Sequence, residues 1–198
     1  MIVVQAAVEG DLDEAVLRRL IREAGAGLGS VYGKQGKQKL EKQIRGYNNA
    51  ARPHHPWVVL VDLDNDECPQ ALRRAWLPTA SQHLCFRVAV RSIESWLLAD
   101  GEAISGFLAA DPARVPLLPD AEPHPKRTLV EIARGSRRPE IQRDMVPKPQ
   151  SGRQVGPAYS SRLRDYIEDH WRPDVAALHS DSLKRCRSRL RELVQPNG

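Results

Sequence analysis

The sequence predicts an α/β protein built on a mostly parallel central sheet, flanked by helices and followed by further helices at its C-terminal end. Two observations carry this. Apolar runs of strand length recur in "MIVVQAAV", "WVVLVDL" and "LCFRVAV", and each is followed by a stretch whose apolar residues fall at helical spacing. Strands alternating with helices form parallel sheets joined by right-handed crossovers.

"MIVVQAAV" is broken only by Gln5 and has the β-branched content of a strand buried on both faces. It stops at Glu9-Gly10. In "DLDEAVLRRLIREAGAG" Leu12, Val16 and Leu20 repeat with a helical period; Asp11 can cap the start, and Gly25 or Gly27 can end it. Gly33 to Asn49 reads as a glycine-broken basic loop running into a short polar helix. "WVVLVDL" is the second strand, and "PQALRRAWLP" a short helix bounded by prolines. "LCFRVAV" is the third strand, followed by a helix in "SIESWLLAD" that Gly101 can close. Prolines at 112, 116, 119, 123 and 125 mark a long loop before the helix "RTLVEIARGS". "RDMVPKPQSGRQVG" reads as another loop. Helices over 158–171 and 181–194 finish the chain, the latter basic outside a narrow apolar stripe. The expectation is one domain over 1–198, with the sheet and acidic motifs in 1–110 and a loop-rich, helical extension in 111–198.

Bulk properties narrow the function classes. With 198 residues, 41% hydrophobic and 28% charged, the composition is that of a globular domain rather than a disordered chain. The apolar runs are too short to span a bilayer and no basic leader precedes the first strand, so a cytoplasmic protein without membrane attachment is expected. Cys68, Cys85 and Cys186 are scattered, without the paired spacing of a zinc site, and read as reduced thiols. The formal charge of +5 permits a nucleic-acid partner.

The acids are placed more pointedly. In an open α/β sheet, residues that end parallel strands share one crevice whatever their separation in sequence. Glu9 ends the first strand, Asp62 and Asp64 the second, and Glu94 follows the third. Several ionised carboxylates held together need a compensating cation, and oxygen donors suit Mg²⁺ or Mn²⁺. On an extended backbone Asp62 and Asp64 start on the same face and can grip one ion. "DLDNDE" imitates the opening of an EF-hand loop, but Glu67 stands where its glycine belongs and Arg73 where its final Glu belongs. Plainer roles compete: Glu9 and Glu94 can each favour the positive end of a helix, and Asp66 and Glu67 read as turn and cap residues.

Strand, "EG", helix, then strand and "DxD", then an acid before a helix: this order resembles the Toprim domain, including the nucleases of the overcoming-lysogenization-defect type. Their first motif maps onto Glu9, Gly10 and Asp13, with Leu12 where a hydroxyl residue is usual and the shorter Asp13 where Glu is. A closer likeness is to a bacterial Toprim-like family of unknown function, often encoded beside ABC/SMC-type ATPases and associated with phage defence. The matching phrases are "VEGDLDEAVLRRL", "VVLVDLDNDEC", "RVAVRSIESWLLAD" and "GPAYSSRL".

The resemblance implies Mg²⁺- or Mn²⁺-dependent cleavage of phosphodiester bonds in nucleic acid, DNA ahead of RNA, in concert with a partner ATPase. Asp62 and Asp64 would hold one ion, Glu9 with Asp13 a second or a general-base role, and Glu94 would bridge or orient. Lys148 and Arg153, on a Gly/Pro loop, are candidates for cationic help at the phosphoryl group. Lys34, Lys37, Lys39 and Arg45, bracketed by Tyr32 and Tyr47, are candidates for tracking a nucleic-acid backbone. Two other readings stand beside this one. A catalytically weak Toprim-like subunit that binds or regulates an ATPase is favoured by the altered first motif. A phosphoacceptor receiver domain fails, because "LCFRVAV" lacks the aspartate it requires.

Overall fold

A computed structural model describes residues 1–66 and 68–195. Within them a four-stranded, all-parallel sheet has the order β2-β1-β3-β4, formed by β1 (Val3–Val8), β2 (Gly27–Gly33), β3 (Trp57–Asp62) and β4 (Leu84–Ala89). Glu67, read above as a cap residue, lies outside the described residues.

The apolar runs fill both faces of this sheet, as the period of two demands. Val58 and Leu60 of β3 point into one core with Val4, Ala6, Val8 and Cys85, whereas Trp57, Val59 and Val61 point into the other with Ala7, Phe86 and Val88. A strand covered on both sides has no solvent face to carry polar residues. The first core is closed by α1 (Asp11–Glu23), α4 (Ile93–Leu98) and, from the C-terminal part, α8 (Tyr159–Asp169) and α10 (Asp181–Val194). The second is closed by α2 (Lys37–Ala50) and α3 (Pro69–Trp76). The sheet is therefore the middle of three layers. The remaining helices are α5 (Gly101–Phe107), α6 (Pro125–Arg134), α7 (Pro139–Met145) and α9 (Pro173–Ala176), with 3₁₀ turns at Pro112–Arg114 and Pro119–Ala121.

The C-terminal residues belong to the same core as the strands. Tyr159, Leu163, Tyr166, Ile167 and Trp171 are buried there, and Trp171 Nε1 donates to the carbonyl of Trp96 at 3.2 Å. Asp100, fully buried, accepts from the Arg172 guanidinium at 2.6 and 2.9 Å and from its backbone N–H at 3.0 Å, which ties α9 to the end of α4.

Four elements differ from the sequence expectation. β2 has no strand signal in the sequence: "GLGSVYG" has three glycines and no apolar run, and it becomes a strand by pairing alongside β1 at the sheet edge. The helix beyond Gly36 is not short but spans 14 residues. Gly101 does not close a helix. It opens α5, whose cap is Asp100 accepting from the N–H of Ala103. Residues 143–145 of the expected loop "RDMVPKPQSGRQVG" are the last turn of α7.

Gly33 joins β2 to the acidic end of the sheet. Its φ is +87° and a Cβ there would stand 2.4 Å from the carbonyl oxygen of Val8. Both strain and collision forbid a side chain. Gly33→Ala is expected to cost about 2 kcal/mol, read as a lowered urea midpoint with unchanged slope. An unchanged midpoint would show that the turn relaxes freely. Among the described residues no helix is long and apolar enough to cross a membrane.

Candidate functional site: a carboxylate cluster at the C-terminal edge of the sheet

Parallel strands end together, so β1, β3 and β4 deliver Glu9, Asp62 and the start of α4 to one place. Glu9 Oε1 accepts the N–H of Asp62 at 2.8 Å, and Asp62 Oδ1 accepts the N–H of Ile93 at 3.0 Å. This chain of bonds links the three strand ends. Asp13, in the first turn of α1, accepts the N–H of Gly10 through Oδ2 at 3.0 Å. Glu94 Oε2 accepts from the Ser92 hydroxyl at 2.7 Å, while Oε1 faces the Tyr159 hydroxyl at 3.4 Å and Lys126 Nζ at 3.6 Å. Glu9, Asp62 and Asp13 are thus each oriented through one oxygen and Glu94 through both, by supporting hydrogen bonds of the kind that aim ligands.

The second oxygens are differently placed. Asp13 Oδ1 is buried and has no hydrogen-bond partner among the described residues. An unsatisfied buried carboxylate oxygen is costly and calls for an explanation. Burial raises the pKa of Asp13 to about 7, and the Glu9 and Glu94 carboxylates add to the effect. Burial likewise holds Asp62 well above the usual carboxylate range, with Asp13, Glu94, Glu9 and Asp64 contributing repulsion. Glu9 moves in the same direction, again chiefly through burial. Burial and neighbouring carboxylates therefore disfavour the charges of Glu9, Asp13 and Asp62 alike.

Asp64 stands apart from this group. Asp62 is the last strand residue, Asp64 has φ of +54°, and the intervening extended backbone on which a shared grip depended does not continue. Asp64 Oδ2 instead pairs with Lys37 Nζ at 3.1 Å, and the same ammonium reaches Asp66 at 2.8 Å and the Leu63 carbonyl at 3.0 Å. Burial opposes the charge on Lys37, yet its bonds to Asp66 and Asp64 carry its pKa above the ordinary value. Arg91 Nη1 donates to the carbonyls of Asp64 and Asp66, so the loop after β3 is wrapped by two cations.

Other expected residues also sit differently. Lys37 is occupied in that loop and Lys34 pairs with Asp11 and Glu14, so neither is free to follow a nucleic-acid backbone. Lys39 and Arg45 are exposed on α2. Tyr47 stacks on Trp57 with ring centroids 5.0 Å apart, and Tyr32 packs against both at a tilt. Lys148 and Arg153 are exposed, but neither lines the cavity beside the acids, although their neighbours Pro147 and Gln154 do. The cation that does approach the cluster is Lys126, at the start of α6, where the sequence offered only a short helix.

Two cavities meet at this cluster. One, of about 610 Å³, is lined by Asp62, Asp64, Glu94, Arg91, Lys126 and Arg127. The other, of about 370 Å³, is lined by Asp13, Asp62, Glu94, Lys126, Ser160 and Arg164. Buried Asp13 and Glu94 and part-buried Asp62 thus share these cavities with the exposed cations Lys126, Arg127 and Arg164. Among the described residues no group of three or more His, Cys, Asp or Glu is arranged so that it could hold a metal ion. What the cluster does offer is oxygen donors, the chemical kind that hard cations take, with Asp13 Oδ1 buried and unpartnered among them.

Fold and site together define the chain as a parallel α/β protein with a carboxylate cluster at the C-terminal edge of its sheet. Comparison with protein-family models, curated proteins and solved structures finds no significant match.

Proposed function

We propose that the chain is a Toprim-like, divalent-metal-dependent nuclease that cleaves phosphodiester bonds of nucleic acid, DNA ahead of RNA. The observation that carries this reading is the convergence of Glu9, Asp13, Asp62 and Glu94, with a buried, unpartnered Asp13 Oδ1 among them.

Glu9, Asp13 and Asp62 would hold Mg²⁺ or Mn²⁺, and Glu94, fixed by Ser92 and Tyr159, would orient or bridge. A divalent cation at such a site stabilises charge on phosphoryl oxygens and lowers the pKa of bound water. Lys126, 3.6 Å from Glu94, takes the part that the sequence assigned to Lys148: it offsets negative charge at the transferring phosphoryl group. Arg91 and Arg127 line the same cavity and supply diester contacts. An ABC/SMC-type ATPase as partner, and a place in antiviral defence, belong to the proposal on the resemblance alone.

A second reading, a binding or regulatory subunit with weak catalysis, is favoured by Lys37. Its ammonium is already shared between Asp64 and Asp66, so one half of the "DxD" motif is engaged. The test is nicking of supercoiled plasmid and cleavage of single-stranded DNA and RNA in Mg²⁺ and Mn²⁺, beside calorimetry of metal binding. Metal-dependent cleavage that is lost in Glu94→Gln supports the nuclease. Metal binding without cleavage supports the subunit reading, and absence of both defeats the cation site.

A further inference from the structure

We propose that Arg73, Arg87 and Arg189 form a binding site for phosphate groups at the open edge of β4. β4 pairs only with β3, so its outer edge carries no neighbouring strand among the described residues. α3 packs against β4 and contributes Arg73; α10 packs against it and contributes Arg189; Arg87 lies on β4 itself. Arg189 is held by the Gln82 carbonyl at 2.7 Å and by exposed Glu192 at 3.3 Å.

Arg73 and Arg87 have no carbonyl or carboxylate partner among the described residues, and the side chain beside Arg87 is the buried Cys85 thiol. Each is only part exposed, neither makes an ion pair among the described residues, and the Nε of each is buried without a hydrogen-bond partner. A guanidinium has five donors in a rigid fork, and leaving an inner one buried and unused is costly. Burial, then repulsion from Arg87 and Arg189, lowers the pKa of Arg73, with the neighbouring Cys85 thiol opposing the shift. Charged residues do guard sheet edges against pairing. A guard, however, has no need to bury its donors or to collect three like charges from three elements.

A phosphate oxygen pair matches the outer fork of a guanidinium, and one anion between such groups removes the repulsion. Position adds to the argument. Arg87 pairs with Leu60, two residues before Asp62, so its backbone lies about 7 Å back from the acidic row along the strand. With about 3.4 Å of axial rise per nucleotide in a strand, that is about two nucleotides from the cleavage point. Assignment to a nucleic-acid backbone rests on the function proposed above; the phosphate chemistry itself does not.

The variant is Arg73→Met/Arg87→Met, which keeps the apolar stems and removes the charge. One arm measures the thermal midpoint in sodium phosphate against sodium chloride of equal ionic strength. The other measures binding of a fluorescent oligonucleotide by anisotropy in EDTA across a salt series. In EDTA no divalent-dependent cleavage takes place, so the result is independent of whether the acids support catalysis. Phosphate is expected to raise the wild-type midpoint and leave that of the variant unmoved. The oligonucleotide Kd is expected to weaken about tenfold or more, with the salt slope reduced by one to two units. Loss in both arms identifies a backbone phosphate, and loss in the phosphate arm alone a free phosphate or monoester. A variant that keeps the wild-type circular dichroism and matches wild type in both arms overturns the site. Arg189→Met, which leaves Arg73 and Arg87 in place, should show the same losses to a smaller degree; no loss at all would remove Arg189 from the site.

Discussion

Asp62→Asn is expected to reduce metal-dependent cleavage on the order of 10³-fold while making the metal-free protein more stable at neutral pH. The activity loss is the value of a cation's charge at the transferring phosphoryl group, several kcal/mol of transition-state stabilisation. The gain in stability has a separate origin. Asn keeps Oδ1 as the acceptor for Ile93, so the link from β3 to α4 survives. What disappears is a carboxylate that burial, Asp13, Glu94 and Glu9 hold well above its usual range. A residue retained against its own cost in stability is one whose charge is used. Plasmid nicking in Mg²⁺ and Mn²⁺, beside a urea titration in EDTA, measures both effects. Cleavage unchanged in Asp62→Asn would remove the cluster from the chemistry.

The second large effect is a stability profile that runs downhill with pH. An unfolded Asp titrates near 4, whereas Asp13 in the folded protein titrates at about 7. Between those values the folded state binds more protons than the unfolded state, so stability falls as pH rises through the window. Asp62 acts in the same direction, and the group titrates as a coupled set. The metal-free protein is therefore expected to lose on the order of 2–4 kcal/mol between pH 4 and pH 8, with the Asp13 share complete above about 7. A divalent cation binds the ionised form, so Mg²⁺ should raise the urea midpoint at pH 8 and do little at pH 5. Asp13→Asn should flatten the metal-free profile. A flat wild-type profile, or an equal Mg²⁺ effect at both pH values, would contradict the assignment.

The two effects share a cause that is partly legible in the chain. Glu9, Asp62 and Glu94 fall together on sequence grounds alone, because apolar runs declare buried strands and parallel strands end at one edge. Asp13 is legible as a first-turn acid, and its Oδ2 does serve Gly10. Its orphaned Oδ1 is not, since a partner's absence is a property of three-dimensional neighbours. Lys126 has no signal at all: it reaches Glu94 because α6 packs against α4, a contact between segments about thirty residues apart. Lys148 looks better placed in the sequence only because glycine and proline suggest reach.

β2 and Asp64 show the limit from two sides. "GLGSVYG" carries no strand propensity, yet β1 offers it an unpaired edge, and Gly33 permits the close approach to Val8 that completes the pairing. Asp64 follows a well-read strand, but one positive φ turns it toward Lys37. By itself the sequence determined the α/β class, three of the four strands, most of the helices and the edge at which the acids gather, because periodicity and apolar content act locally and add along a segment. Only the tertiary structure decided the fourth strand, the basic residue over Glu94, the capture of Asp64 and the three arginines at the β4 edge. Those depend on which distant segments come to share a space, and backbone pairing and charge compensation between segments leave no periodic trace in the chain.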